Sequence, residues 1–146
     1  SNQKIRDVVE MTKDAGIHVV GNYMLGFWDD TLQTMRETMD FARELNCEYA
    51  NIYCVTVYPG STLYEEMRSR GVDLPSSGVE FAQMSPHFKP VPTRQVKACD
   101  VLRFRDEAFH EYYSGTKYLT MMRHKFGAAV VEEIEKMLSI KLREPI

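Results

Sequence analysis

The chain has no apolar run of bilayer-spanning length and no segment laid out like a signal peptide. No membrane partner is expected, and a cytoplasmic location is the expectation. Cysteine is scarce: Cys47, Cys54 and Cys99 are an odd number, at spacings that match no metal or redox motif. They read as small buried apolar residues in a reducing compartment. Neither sign of charge dominates, with 18 Lys and Arg against 21 Asp and Glu, so a net charge of -3 gives no reason to expect nucleic acid. The mild gradient from an acidic first 60 residues to a basic last 32 reads as solvated helix faces. His18, His87, His110 and His124 supply no pair at metal-binding spacing on one helix face, so no metal site is predicted. His87 is the one placed in a loop where it can reach a substrate.

What is present suits one soluble domain: 146 residues, 44% apolar and 27% charged. Ile5, Val8, Val9, Thr12 and Ala15 recur at helical spacing, and Gly16 is a plausible stop. His18 to Leu25 reads as a parallel strand, with Val20, Asn22 and Met24 on one face and Val19, Gly21, Tyr23 and Leu25 on the other. Asp30 with Gln33 predicts a capping box for the next helix, whose stripe is Leu32, Met35, Met39, Ala42 and Leu45. Tyr49 to Tyr58 predicts a second strand, broken by Pro59-Gly60. Ser61 or Thr62 then caps a short helix that runs to Arg70. Residues 71–92 hold four prolines and two glycines and predict a long irregular connection. From Thr93 the pattern is helical almost to the end, interrupted at Ser114-Gly115 and Gly127.

The order is therefore β-α-β-α followed by a helical tail, and in such parallel α/β units ligands sit at the carboxyl ends of the strands. Gly26 stands at such an end, where a missing side chain permits unusual backbone angles and close ligand approach; a tight turn without a ligand explains it equally well. Asn22 is polar in an apolar strand, and alternation leaves open which layer it faces. Asp29 and Asp30 read as helix-terminal carboxylates rather than an acid-base pair. Arg103, Arg105, Asp106 and Glu107 read as a salt-bridged helix surface. No catalytic residue is predicted. Two parallel strands do not make a stable sheet alone, and Ser1-Asn2 looks like an expression remnant. Both features suggest a piece of a longer protein.

The run Asn22-Tyr23-Met24-Leu25-Gly26-Phe27-Trp28-Asp29-Asp30-Thr31 and the turn Tyr58-Pro59-Gly60-Ser61-Thr62 resemble the fifth and sixth strands of the radical S-adenosylmethionine (SAM) barrel. Asn22, Met24, Gly26 and Asp29 align with that superfamily's Gly-x-Ile-x-Gly-x-x-Glu pattern, of which only Gly26 is identical. Pro90-Val91-Pro92-Thr93, Phe104 to Phe109, Tyr118-Leu119 and Lys125-Phe126-Gly127 resemble the C-terminal extension of the branch with an N-terminal cobalamin-binding domain. The resemblance implies an α/β fold that is a partial radical SAM, TIM-like barrel. Residues 1–71 would be its last part, 72–92 an irregular linker and 93–146 an all-helical extension. It implies that Asn22, Met24, Gly26, Val57 and Tyr58 face the SAM adenine, with the tail capping the substrate side. The intact protein would cleave SAM with a 4Fe-4S cluster to give a 5'-deoxyadenosyl radical, for cobalamin-linked methyl transfer or oxidative cyclisation of a small molecule. The cluster's Cys-x-x-x-Cys-x-x-Cys motif is not in the chain. The chain alone is therefore expected to be inactive, to hold no cofactor, and to self-associate where the missing barrel half and cobalamin domain would pack. Two other readings remain: a SAM-independent (β/α) barrel oxidoreductase or aldolase, and a helical interaction module formed by residues 93–146.

Overall fold

A computed structural model describes residues 1–140. Its order is α1 (Asn2–Asp14), β1 (Val20–Leu25), α2 (Leu32–Leu45), β2 (Tyr49–Cys54), α3 (Thr62–Ser69), α4 (Gly78–Phe81), α5 (Ala98–Tyr113), α6 (Thr116–Phe126) and α7 (Ala128–Ser139). The expected pair of parallel strands is present, in the register Asn22 opposite Asn51 and Leu25 opposite Cys54. Both strands are shorter than the sequence suggests. β1 starts at Val20 rather than His18. β2 stops at Cys54 rather than Tyr58 because its partner turns away at Gly26, leaving one last bond from the Val55 N–H to the Leu25 carbonyl (2.8 Å). The tail also becomes helical later than expected, at Ala98, because the Thr93 hydroxyl takes the Gln95 and Val96 N–H groups into a turn.

The sheet has one covered and one open face. Tyr23, Leu25, Ala50, Ile52 and Cys54 pack with Met35, Met39 and Ala42 of α2 and with Val101, Ala108 and Tyr112 of α5. Val20, Asn22, Met24 and Tyr49 lie on the opposite face and are exposed. This settles the Asn22 ambiguity: it faces away from the helices, and its Oδ1 accepts from Asn51 Nδ2 at 2.9 Å.

The two edges of the sheet differ. Along the outer edge of β2, side chains stand where a strand would. The Tyr113 hydroxyl accepts the Ala50 N–H (3.0 Å) and donates to the Ala50 carbonyl (2.9 Å). The Gln83 amide likewise accepts from the Cys54 N–H (3.2 Å) and donates to its carbonyl (2.7 Å). On β1, bonds from Tyr49 and Val55 reach the Val19 and Leu25 carbonyls, so ladder alternation turns the backbone of Val20, Asn22 and Met24 outward. Among the described residues no hydrogen bond reaches those outward groups. The helix before that edge, α1, buries none of its residues and leaves Val8 at 61% and Met11 at 70% exposure.

Three tyrosines bind the tail to the sheet. Tyr112 donates to the Cys47 carbonyl (2.7 Å) and Tyr118 to the Glu48 carbonyl (3.0 Å), beside the Tyr113–Ala50 pair. Their rings pack with centroids 5.2 to 5.3 Å apart. Burial pushes the Tyr113 hydroxyl up to about 12 and raises Tyr112 and Tyr118 as well, so all three remain donors. These ties lie at the amino end of β2. At the carboxyl ends of the strands the tail is represented by Val101 of α5, which meets Gly26, and by Arg94 before it, whose N–H donates to the Trp28 carbonyl.

Candidate functional site

The carboxyl ends of β1 and β2 form a rim that several segments converge to hold. Asp30 does not cap α2 as expected. The N-cap is Thr31, whose side chain takes the Thr34 N–H while the Thr34 hydroxyl takes that of Thr31. Asp30 instead turns back on its own loop, its Oδ2 accepting from the Gly26 N–H (3.0 Å) and the Phe27 N–H (2.9 Å). It also takes the Thr34 hydroxyl on Oδ1 (2.8 Å), so one carboxylate links turn and helix. Gly26 has φ 88, and a Cβ there would lie 2.7 Å from Val101 Cγ1. The close approach that requires glycine is thus made by α5.

The second loop is pinned from the other side. Val55, Val57, Met67 and Val91 form a small apolar cluster, with Trp28 and Leu63 against it. The Arg94 N–H donates to the Trp28 carbonyl (2.7 Å), and the Arg70 guanidinium lies 4.7 Å from the Trp28 ring centre. Residues 72–97 therefore pack over the rim, with Phe88 and Val91 buried.

Asn22, Met24 and Gly26 follow one alternation along β1, the first two exposed and Gly26 buried at the end. Val57 is buried, which leaves its backbone as the part that can meet a ligand. Tyr58 is 57% exposed and stacks on Phe81, with centroids 5.4 Å apart and planes at 16°. The rim thus offers a flat aromatic shelf and an exposed thioether, with the polar Asn22–Asn51 pair further back, in the middle of the open face of the sheet. The Gly26 N–H at this rim is already taken by Asp30. An iron-sulfur cluster does not fit the residues present. Cys47 and Cys54 are buried and Cys99 is exposed, and no group of three His, Cys, Asp or Glu able to hold a metal occurs among the described residues. The exposure of Cys99 corrects the expectation that all three cysteines are buried. Among the described residues no helix is long and apolar enough to cross a membrane.

Arg105 continues the stripe Val101, Ala108, Tyr112 at spacings of four, three and four and is 2% exposed. The expected salt bridging is present, with Nε donating to Asp106 Oδ1 at 2.6 Å, but Arg105 itself is buried rather than on the surface.

The described residues form an α/β unit of two parallel strands flanked by helices. No family model matches the chain. It is 30% identical over 87 residues to an uncharacterized methyltransferase of Pyrococcus horikoshii, covering 60% of this chain and 19% of that protein. It is 26% identical over 72 residues to bacteriochlorophyllide d C-8(2)-methyltransferase of Chlorobaculum tepidum, covering 49% of this chain and 16% of that protein. It is 32% identical over 59 residues to the anaerobic magnesium-protoporphyrin IX monomethyl ester cyclase of Rubrivivax gelatinosus, covering 40% of this chain and 11% of that protein. The chain thus spans under one fifth of the length of these curated relatives, which are enzymes.

Proposed function

We propose that the chain is the C-terminal part of a radical SAM enzyme of the branch with a cobalamin-binding domain, and that it forms the adenine-facing wall of the SAM site. The observation that carries this reading is the parallel β-α-β unit with a built rim and one open edge, taken with similarity to two methyltransferases and a cyclase. In this reading, Asn22, Met24 and the backbone of Val57 line the wall, and Tyr58 on Phe81 supplies its flat shelf. Gly26 and Asp30 hold the turn, and residues 72–97 shield the rim from water. SAM would supply the radical chemistry, with a cluster held by residues outside this chain. The product class is methyl transfer or oxidative cyclisation of a small molecule. The test is the intact protein, reconstituted anaerobically with iron and sulfide and given SAM and a reductant. Release of 5'-deoxyadenosine is expected, and its absence with a fully loaded cluster would overturn the reading.

The same reading makes the rest of the barrel the natural partner of β1, supplying a strand for the outward groups of Val20, Asn22 and Met24 and a cover for Val8 and Met11. Without it, the purified chain will self-associate. Light scattering at roughly tens of micromolar, where exposed strand edges associate, is expected to give a mass above 16.9 kDa. A clean monomer would count against an open edge.

A further inference from the structure

A cavity of about 220 Å³ runs along the outer edge of β2. Tyr49, Ala50, Asn51, Ile52 and Tyr53 line it without a break, whereas the side chains of a strand alternate between its two faces. An unbroken run of lining residues therefore places the cavity against the backbone edge and not against one face. Phe109, Met137 and Ile140 add an apolar wall, and Met84 stands exposed at the margin. A dry apolar cavity of about 150 Å³ is enough to take up a benzene ring, so this one has room for a ring and a small head group.

That edge has one position unserved. The Tyr49 and Val55 N–H groups bond to β1, so ladder alternation turns the backbone of Ala50, Ile52 and Cys54 outward. Tyr113 serves the N–H and carbonyl of Ala50, and the Gln83 amide serves those of Cys54. Between them, no hydrogen bond from the described residues reaches the N–H or the carbonyl of Ile52. The Ile52 side chain belongs to the core, so what this residue turns to the cavity is its backbone edge. Nearly all backbone polar groups in a folded interior are paired, and here only an occupant of the cavity can do it. Charge gives an ion no advantage. Arg105 Nε donates to Asp106 Oδ1 at 2.6 Å, so these two charges of the lining are spent on each other.

We propose that this cavity binds a neutral carboxamide with an apolar body. Its carbonyl accepts the Ile52 N–H, its N–H donates to the Ile52 carbonyl, and its body lies among Phe109, Met137 and Ile140. Gln83 displays the same pairing two residues along, its Oε1 accepting from the Cys54 N–H (3.2 Å) and its Nε2 donating to the Cys54 carbonyl (2.7 Å). The site does not depend on the chain acting on SAM. Apolar packing alone would hold an ester of the same shape as well as the amide. The strand edge makes the two differ, because only the amide carries a donor for the Ile52 carbonyl.

The probes are benzamide and methyl benzoate, titrated into the chain labelled with 15N-isoleucine and 13C-methyl methionine. Benzamide is expected to shift the Ile52 amide signal and the Met84 and Met137 methyl signals along one saturation curve. It should bind at least about fivefold more tightly than methyl benzoate, the discrimination that one or two neutral hydrogen bonds supply. Ile140→Asp, at a position 62% exposed, should weaken benzamide at least about threefold by removing apolar wall. Equal binding of amide and ester to the unaltered chain would overturn the proposal. So would methyl shifts that saturate while the Ile52 amide signal stays still, or the lack of any saturable benzamide shift at about 10 mM, the affinity range expected for a ligand of this size. All three of these outcomes are read on the unaltered chain, so they hold even if the variant unfolds.

Discussion

Gly26→Ala will destabilise the chain by about 3 kcal/mol, measured as the loss of unfolding free energy in urea. Two costs combine. At φ 88 any residue with a Cβ is strained, by roughly 1–2 kcal/mol. The new methyl also meets Val101 Cγ1 at 2.7 Å, and Val101 is fully buried and cannot swing aside, which adds about 1–3 kcal/mol of overpacking. A gain of about 0.4–1 kcal/mol from the stiffer unfolded chain offsets part of this. The second cost is specific to one neighbour, so Val101→Ala in the Gly26→Ala background should recover stability instead of adding its own loss. A coupling of at least about 1 kcal/mol in that cycle is expected. Strict additivity would mean that α5 is not seated against the turn, and that the rim is not held from that side.

That contact also marks where the sequence stopped being legible. The helix, strand, helix, strand order and the stripes of α2 and α5 follow from local periodicity, and the parallel pairing of β1 with β2 follows from the order. The identity of Gly26 as a special position was readable; its neighbour, 75 residues further along, was not. Asp30 and Thr31 compete for the same capping role, and only the three-dimensional turn shows the carboxylate going back to Gly26 and the hydroxyl forward to Thr34. For Arg105 the ion pair with Asp106 was readable, but its burial was not: Arg103, Asp106 and Glu107 around it suggest a wet surface, and only the packed helix shows how deep the stripe carries it. The edge of β2 was the least predictable feature. A hydroxyl from Tyr113 and an amide from Gln83 mimic a strand, and no local pattern announces that. The identities of Asn22, Met24, Val57 and Tyr58 as candidate rim residues came from resemblance, and the geometry adds which of them present side chains and which only backbone.

Acid will weaken the junction of tail and sheet through one carboxylate, Glu48. It is 5% exposed, its Oε2 accepts the Val19 N–H at 2.8 Å, and its Oε1 meets the Lys125 ammonium, with His18 Nδ1 at 3.7 Å. Burial alone would raise its pKa, but the bonds from Lys125, the Val19 N–H and its own N–H outweigh this and hold it at about 2, against 4.5 for a free side chain. A folded value below the unfolded one means that the contribution is complete above about pH 4.5 and is lost as the pH falls toward 2. The gap corresponds to roughly 3 kcal/mol, reduced to on the order of 2 because Lys125 remains 30% exposed and solvent screens it. Glu48→Gln should therefore cost about 2 kcal/mol at pH 7, leaving the Lys125 charge without its partner. Urea titrations from pH 7 down to pH 2.5 are expected to show the two proteins converging, with the unaltered chain losing stability faster below pH 4.5. Lys125→Met should lower stability at pH 7 as well and flatten the same acid limb, since the ammonium is what holds Glu48 ionised. Parallel curves for the unaltered chain and Glu48→Gln across that range would show that the carboxylate titrates alike folded and unfolded, and that α6 is fastened to the sheet by Tyr118 without help from this pair.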